Sequence, residues 1–204
     1  MENVDKISQM KNQLRKFYSQ KRLSLQNQNK FKMDELIYNK FINLQEYQES
    51  QKIFIYVSKV SEVDSWKIIK HSLQNKKIVC VPRCDTSQNT MNFYKINSIK
   101  DLKIGAYGIY EPVVSDKSKA EESFLKDLCV VPGLCYDKRG YRIGYGKGYY
   151  DKFLENFNGV KVGLCYSEFI EDELLHDNFD NNVDVLLTER YSLYTAKQTF
   201  YFYS

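Results

Sequence analysis

The sequence predicts an α/β protein with a mostly parallel sheet flanked by helices, in a single domain over residues 1–204. Three observations carry this. Short, continuous apolar runs such as Ile53-Phe54-Ile55-Tyr56-Val57 suit strands buried on both faces. Segments with helical spacing separate those runs, the alternation expected of a parallel sheet. The length of 204 residues matches one domain able to bury roughly 70% of its unfolded surface without a disulfide or metal staple.

Taken in order, Ile7, Met10, Leu14 and Phe17 fall on a 3.6 period and predict a first helix, with Lys11 and Arg15 one turn apart on one side. Met33, Leu36, Ile37, Phe41 and Leu44 predict a second. After the strand at 53–57, helical spacing returns with Trp66, Ile69 and Leu73. Ile78–Val81 reads as a strand that Pro82 ends by removing a ladder donor, and Met91–Tyr94 as a weaker one. Leu128–Val131 is a strong strand stopped by Pro132. A helix follows through Tyr150, Phe153, Leu154 and Phe157, then strands at Val160–Leu164 and Val183–Leu187, and an edge strand within Gln198–Tyr203. The polar stretch Ser115–Ser123 reads as a surface loop or helix start.

The 30 Lys and Arg against 26 Asp and Glu give a net charge of +4, too mild and too scattered for a nucleic-acid binder. An ordinary balance of 43% hydrophobic and 27% charged residues argues against disorder. The five cysteines, 80, 84, 129, 135 and 165, are odd in number and contain no Cys-x-x-Cys pair, which fits free thiols in a reducing compartment. The N-terminus carries two acids and no apolar leader, and no apolar run reaches membrane-spanning length. A cytoplasmic protein with no membrane partner is expected.

Five of the nine glycines, 133, 140, 144, 146 and 148, fall within 16 residues. They follow a strand and open a helix, where backbone N–H groups and the positive end of the dipole suit phosphate, and Arg142 and Lys147 add full positive charge. Two familiar phosphate motifs are excluded. A P-loop needs four residues between its glycines and a hydroxyl after the lysine, whereas five residues separate Gly140 from Gly146 and Gly148 follows Lys147. The spacing Gly144-x-Gly146-x-Gly148 is not a dinucleotide fingerprint. Asp151, one turn after Lys147, is a candidate Mg²⁺ ligand or a first-turn acid favouring the dipole. Asp180 and Asp184 are alternative second ligands, or turn residues. Lys11 and Arg15 are candidate phosphate contacts or solvated helix charges. Glu62, after the first strand, either accepts hydrogen bonds from a heterocycle or starts a helix with Asp64. The two histidines, His71 and His176, lack any neighbouring nucleophile signature.

The run Pro132-Gly133-Leu134 … Asp137 … Gly140-Tyr141-Arg142-Ile143-Gly144-Tyr145-Gly146-Lys147-Gly148-Tyr149-Tyr150-Asp151 resembles the signature of the 5-formyltetrahydrofolate cyclo-ligase family. Further matches come in the family's order along nearly the whole chain: Lys11-x-x-Leu14-Arg15, Ser61-Glu62-Val63-Asp64, Val81-Pro82-Arg83, Gly108-Ile109-Tyr110-Glu111-Pro112, and Val183-Asp184 before Thr188-Glu189. The resemblance implies an enzyme that uses ATP and Mg²⁺ to convert 5-formyltetrahydrofolate to 5,10-methenyltetrahydrofolate through a phosphorylated formyl group. A monomer is expected, although the sequence does not itself report oligomeric state. It implies ATP contacts at Lys11, Asn12, Gln13, Leu14 and Arg15, and at Arg142, Ile143, Gly144, Tyr145, Gly146, Lys147, Gly148, Tyr149 and Tyr150. It implies folate contacts at Val57, Glu62, Tyr145, Gly146, Lys147, Gly148 and Tyr149, and metal ligands at Asp151 and Asp180. The chemistry then casts Arg142 and Lys147 in catalytic roles, as cations that clamp the phosphates. A binding regulator without turnover, and a sugar-phosphate or acyl-transfer enzyme, are the alternatives. Absorbance of the conjugated methenyl product with and without ATP discriminates the first, and binding of ATP and of a folate, each tested separately, the second.

Overall fold

The computed structural model describes residues 2–25, 27–105, 108–113, 119–120, 126–196 and 199–202. Helices α1 (Glu2–Leu23), α2 (Asn27–Ile42) and α3 (Gln45–Glu49) precede strand β1 (Lys52–Ile55). Helix α4 (Trp66–Gln74) leads to β2 (Ile78–Asp85), β3 (Thr90–Ile96), β4 (Leu102–Ile104) and β5 (Tyr110–Pro112). Then come β6 (Leu128–Val131), β7 (Cys135–Asp137), β8 (Arg142–Ile143), α5 (Tyr149–Leu154) and β9 (Val160–Leu164). The chain ends with β10 (Ile170–Glu171), β11 (Val185–Leu187), β12 (Tyr191–Tyr194) and β13 (Thr199–Phe202).

The principal sheet has the order β13-β12-β11-β9-β6-β1-β2-β3. Its five central strands, β11 to β2, run parallel, while β3 on one edge and β12 and β13 on the other each pair antiparallel with the strand beside them. The predicted α/β class with a mostly parallel sheet is the observed one. Every residue of β6 is buried, as a strand covered on both faces requires. Ile53, Ile55, Val130, Val162 and Leu186 are fully excluded from solvent, and each such side chain contributes about 1.5–3 kcal/mol relative to exposure. Two smaller sheets, β10-β7-β8 and β4-β5, lie outside this frame.

The strand order reverses direction at β1 and β6. From β1 the chain moves outward to β2, then returns to lay β6 on the other side of β1 and continues to β9 and β11. Loops leaving the carboxyl ends of β1 and β6 therefore diverge and open a crevice, the place where open α/β sheets receive ligands. Both the Glu62 segment and the glycine-rich segment leave those two strand ends.

Several expectations need correction. Pro82 does not end β2, which runs on to Asp85 with Pro82 opposite Phe93 of β3. The pairing with β1 stops at Cys80, so Pro82 lies on a stretch paired on one side only, where a missing donor is tolerated. The inward stripe of α1 is not its apolar period. Met10 and Phe17 are 40% and 56% exposed, whereas Lys11, Tyr18 and Arg22 are buried, because the inward side of this helix meets loop carbonyls and carboxylates as well as the core residues that Tyr18 and Leu14 touch. Phe157 lies past the end of α5, yet its ring packs on Phe54 of β1. The 133–148 segment contains two short strands, β7 and β8, too brief for any periodicity to reveal. The Ser115–Ser123 stretch lies outside the described residues except for Lys119, which bridges to Tyr94, and Ala120. No helix among the described residues is long and apolar enough to cross a membrane.

Candidate active site

Arg22 anchors the site. Its guanidinium, 3% exposed, donates to the carbonyls of Leu134 (3.2 Å), Gly133 (2.5 Å) and Ser61 (3.1 Å). One side chain of α1 thereby ties together the two loops that leave β6 and β1. Five donors in a fixed fork suit an arginine to this task, and a lysine could not reproduce it. The sequence reading missed Arg22. The signal was available, since Lys11, Arg15, Tyr18 and Arg22 recur at helical spacing on one side of α1.

Two turns earlier on the same side, Arg15 Nε donates to the Gly144 carbonyl at 3.1 Å, and Arg15 Nη1 to Asn12 Oδ1 at 2.7 Å. Gly146 adopts φ +90°, and a Cβ there would lie 3.1 Å from Arg15 Nε, so a side chain at this position would crowd the arginine as well as strain the turn. Lys11 is buried, with Nζ 3.0 Å from Asp177 Oδ2 and also bound to Asp180 Oδ2. Leu14 packs against the core, while Asn12 and Gln13 point outward.

The glycine turn runs from β8 to α5. Ile143 is buried, and Arg142 beside it sends Nη2 to Asp151 Oδ1 at 2.7 Å and Nη1 to the Asn181 carbonyl at 2.7 Å. Asn181 Nδ2 in turn donates to the Asp151 carbonyl at 3.1 Å. These bonds bring the 177–181 loop against the first turn of α5, so the segments carrying Asp151 and Asp180 meet. Asp184 points elsewhere and accepts the Lys161 amide at 2.8 Å. Lys147 is exposed and makes no hydrogen bond or ion pair with any described residue. Gly148, at φ +67°, caps α5. Tyr149 and Tyr150 open the helix, and the buried Tyr150 hydroxyl has no hydrogen-bond partner among the described residues.

Tyr145 bridges the crevice. Its hydroxyl donates to Glu62 Oε1 at 2.9 Å, while Glu62 Oε2 accepts the Lys59 amide at 2.8 Å and the Lys59 ammonium stands 5.5 Å over the Tyr145 ring. Burial, and then the Glu62 charge, push the Tyr145 phenol well above its usual range, so it stays a donor. Glu62 does not start α4; Asp64 does, accepting the Trp66 amide at 2.8 Å. Val57, at the end of the apolar run, is buried beneath this loop. Beside it lies a cleft of about 600 Å³, lined by Lys30, Lys59, Val60, Trp66, Ile109 and Tyr110. The Trp66 and Tyr110 rings meet edge-on at 5.2 Å.

Among the described residues the arrangement offers charge, donors and a crevice, but no activated protein nucleophile. Burial pushes the Cys80 and Cys165 thiols up to about 12 and the Cys84 thiol up to about 11, which removes thiolate chemistry near neutral pH. His71 is bonded to Tyr47 at 2.7 Å, and His176 is stacked flat on Tyr141 at 3.7 Å. No group of three or more His, Cys, Asp or Glu among the described residues is poised to hold a metal by itself. Such a site suits chemistry on a bound phosphate donor, with charges placed around it.

Comparison with known proteins agrees with the motif. A family model for the 5-formyltetrahydrofolate cyclo-ligase family matches residues 7–189. The mouse 5-formyltetrahydrofolate cyclo-ligase is 29% identical over 193 residues, spanning 90% of this chain and 95% of the mouse protein. The enzyme of that name from Saccharomyces cerevisiae is 31% identical over 163 residues, spanning 68% of this chain and 75% of its own. The solved structure of Aquifex aeolicus 5,10-methenyltetrahydrofolate synthetase superposes with a TM-score of 0.79 at 32% identity, covering 91% of this chain and 93% of that one. With the loops, the glycine turn and the sheet order all in place over this length, the chain belongs to the 5-formyltetrahydrofolate cyclo-ligase family of enzymes.

Proposed function

We propose that the chain converts 5-formyltetrahydrofolate to 5,10-methenyltetrahydrofolate with ATP, through a phosphorylated formyl group. Ring closure requires N10 to bond the formyl carbon while the formyl oxygen departs. As hydroxide that oxygen is a very poor leaving group, with a conjugate-acid pKa of about 15.7. As phosphate it leaves far more readily, the second pKa being about 6. The formyl oxygen therefore attacks the γ-phosphorus, and the bond from that phosphorus to ADP breaks. N10 then bonds the formyl carbon, the carbon–oxygen bond to phosphate breaks, and the N10 proton is lost. No protein nucleophile is needed.

The observation that carries the reading is the Tyr145–Glu62 hydrogen bond at 2.9 Å across the switch point. It joins the turn assigned to the triphosphate to the loop assigned to the folate, so the two substrates meet where the two loops do. Lys11, Arg15 and Lys147 supply positive charge to the triphosphate. Arg142 acts there while orienting Asp151 through their 2.7 Å ion pair. The cleft lined by Lys59, Trp66 and Tyr110 accommodates the planar, anionic folate.

Asp151 and Asp180 offer hard carboxylate oxygens, the donor type Mg²⁺ takes, and two protein carboxylates suffice when phosphates and waters complete the coordination. These two residues would hold Mg²⁺, which supplies charge neutralisation at the phosphates when bound. The test is the appearance of the conjugated methenyl chromophore from 5-formyltetrahydrofolate in the presence of ATP. Its formation only with ATP is expected. Its absence with both substrates present, or its formation at the same rate without ATP, overturns the proposal.

A further inference from the structure

The cationic and anionic halves of the triphosphate site are bonded to each other. Lys11, assigned to the nucleotide, is held by Asp177 at 3.0 Å and by Asp180. Arg142, also assigned to the nucleotide, is held by Asp151 at 2.7 Å. Asp180 and Asp151 are the proposed metal carboxylates. Asp177 belongs to neither set, and neither the motif nor the chemistry calls for it. Its Oδ1 accepts the Phe179 amide at 2.9 Å, which aims Oδ2 at Lys11.

A triphosphate arriving without its metal meets this arrangement badly. Taking Lys11 from its partners leaves Asp177 and Asp180 facing phosphate oxygens with nothing between them. The Asp180 side chain is 17% exposed, so solvent screens its repulsion little, while Asp177, 45% exposed, adds a weaker one. A triphosphate arriving with a divalent cation brings a new partner for Asp180 as it takes Lys11 away, and that added positive charge would offset Asp177 too, since the Asp177 amide donates to Asp180 Oδ2 at 2.7 Å and ties the two acids together. We infer that Asp177 is a positioning residue that makes the site selective for metal-bound over metal-free nucleotide, by acting as the resting counter-ion of Lys11. The inference rests on the reading that Lys11 faces the triphosphate. In linkage terms Asp177 contributes to the coupling between nucleotide and metal, which must be reciprocal.

The test is equilibrium binding of ATP to the full chain, by calorimetry, in excess Mg²⁺ and in excess chelator, for the wild type, Asp177→Asn and Asp172→Asn. Asparagine keeps the acceptor for the Phe179 amide, so the loop is preserved. Asp172, whose side chain is 90% exposed and bonded to Lys138, reports the effect of net charge alone. Asp177→Asn is expected to tighten binding in chelator by about fivefold or more and to leave binding in Mg²⁺ within about twofold, with Asp172→Asn unchanged in both. Four results would overturn the assignment: an equal gain in both buffers, no gain in chelator, weaker binding in chelator, or the same gain from Asp172→Asn. If the wild type binds ATP in neither buffer, the triphosphate reading fails and this inference fails with it. If the wild type binds and only the Asp177 comparison fails, the triphosphate reading stands.

Discussion

Lys147 and Tyr145 sit four and six residues before Asp151 on the same turn, yet they differ in what their loss should do. Lys147 is exposed and unpaired among the described residues, so its charge serves no contact in the resting chain. Lys147→Ala is expected to lower ATP-dependent turnover by about 10²–10³, the usual cost of one transition-state charge contact, while the thermal midpoint stays put. Steady-state assays beside a melting curve check both halves. Tyr145, by contrast, holds Glu62 through a single hydrogen bond. Tyr145→Phe is expected to raise KM for the folate about two- to tenfold, the worth of one such bond, and to change KM for ATP much less. An equal rise in both constants would place Glu62 outside the folate subsite. Neither contrast was legible before the fold. The glycine spacing marked the turn, but only the folded chain shows which of its side chains are already engaged.

Among the elements, α1 and the short β7–β8 pair show where a sequence informs and where it does not. The continuous apolar runs of β1 and β6 were legible, because strands buried on both faces have no polar positions to blur them. The orientation of α1 was not. Its buried stripe is cationic, and hydrophobic periodicity carries no information about a helix face chosen for charge. Arg22→Met tests that face. With three buried or half-buried carbonyls left unpaired, it is expected to cost about 3 kcal/mol in urea unfolding. The β7–β8 connection depends on Gly140 at φ +86°, where a Cβ would lie 2.5 Å from the Val183 carbonyl oxygen and 2.9 Å from Thr195 Cγ2. Gly108, at φ +67°, has nothing within 4 Å. Alanine at 108 carries only the conformational cost, about 1–2 kcal/mol. Alanine at 140 adds a clash with backbone that cannot swing aside, so its urea midpoint is expected to fall clearly further.

For the molecule as a whole, burial ties stability to alkaline pH through weak acids. Cys80 and Cys165 are almost wholly excluded from solvent, and burial pushes both thiols up to about 12, while Cys84, less enclosed, reaches about 11. In the unfolded chain each ionises near 8.5. Below that value both states carry the proton and the thiols do not make stability depend on pH. Above it the unfolded chain binds fewer protons than the native one, so stability falls as pH rises, and the fall continues until the native thiols themselves ionise. Within that window each such thiol costs up to about 1.4 kcal/mol per pH unit. Phenols raised by burial, Tyr56, Tyr136 and Tyr166 among them, extend the same trend above pH 10. The urea midpoint is therefore expected to be level from pH 7 to about 8.5 and to decline steadily above about 9. Thiol reagents at pH 8 should label Cys80 and Cys165 only as fast as the chain unfolds. A level midpoint to pH 10.5, or rapid labelling of the native protein at either residue, would mean that the sheet is open to solvent along β2 or at the end of β9, and with it the core on which the crevice is built.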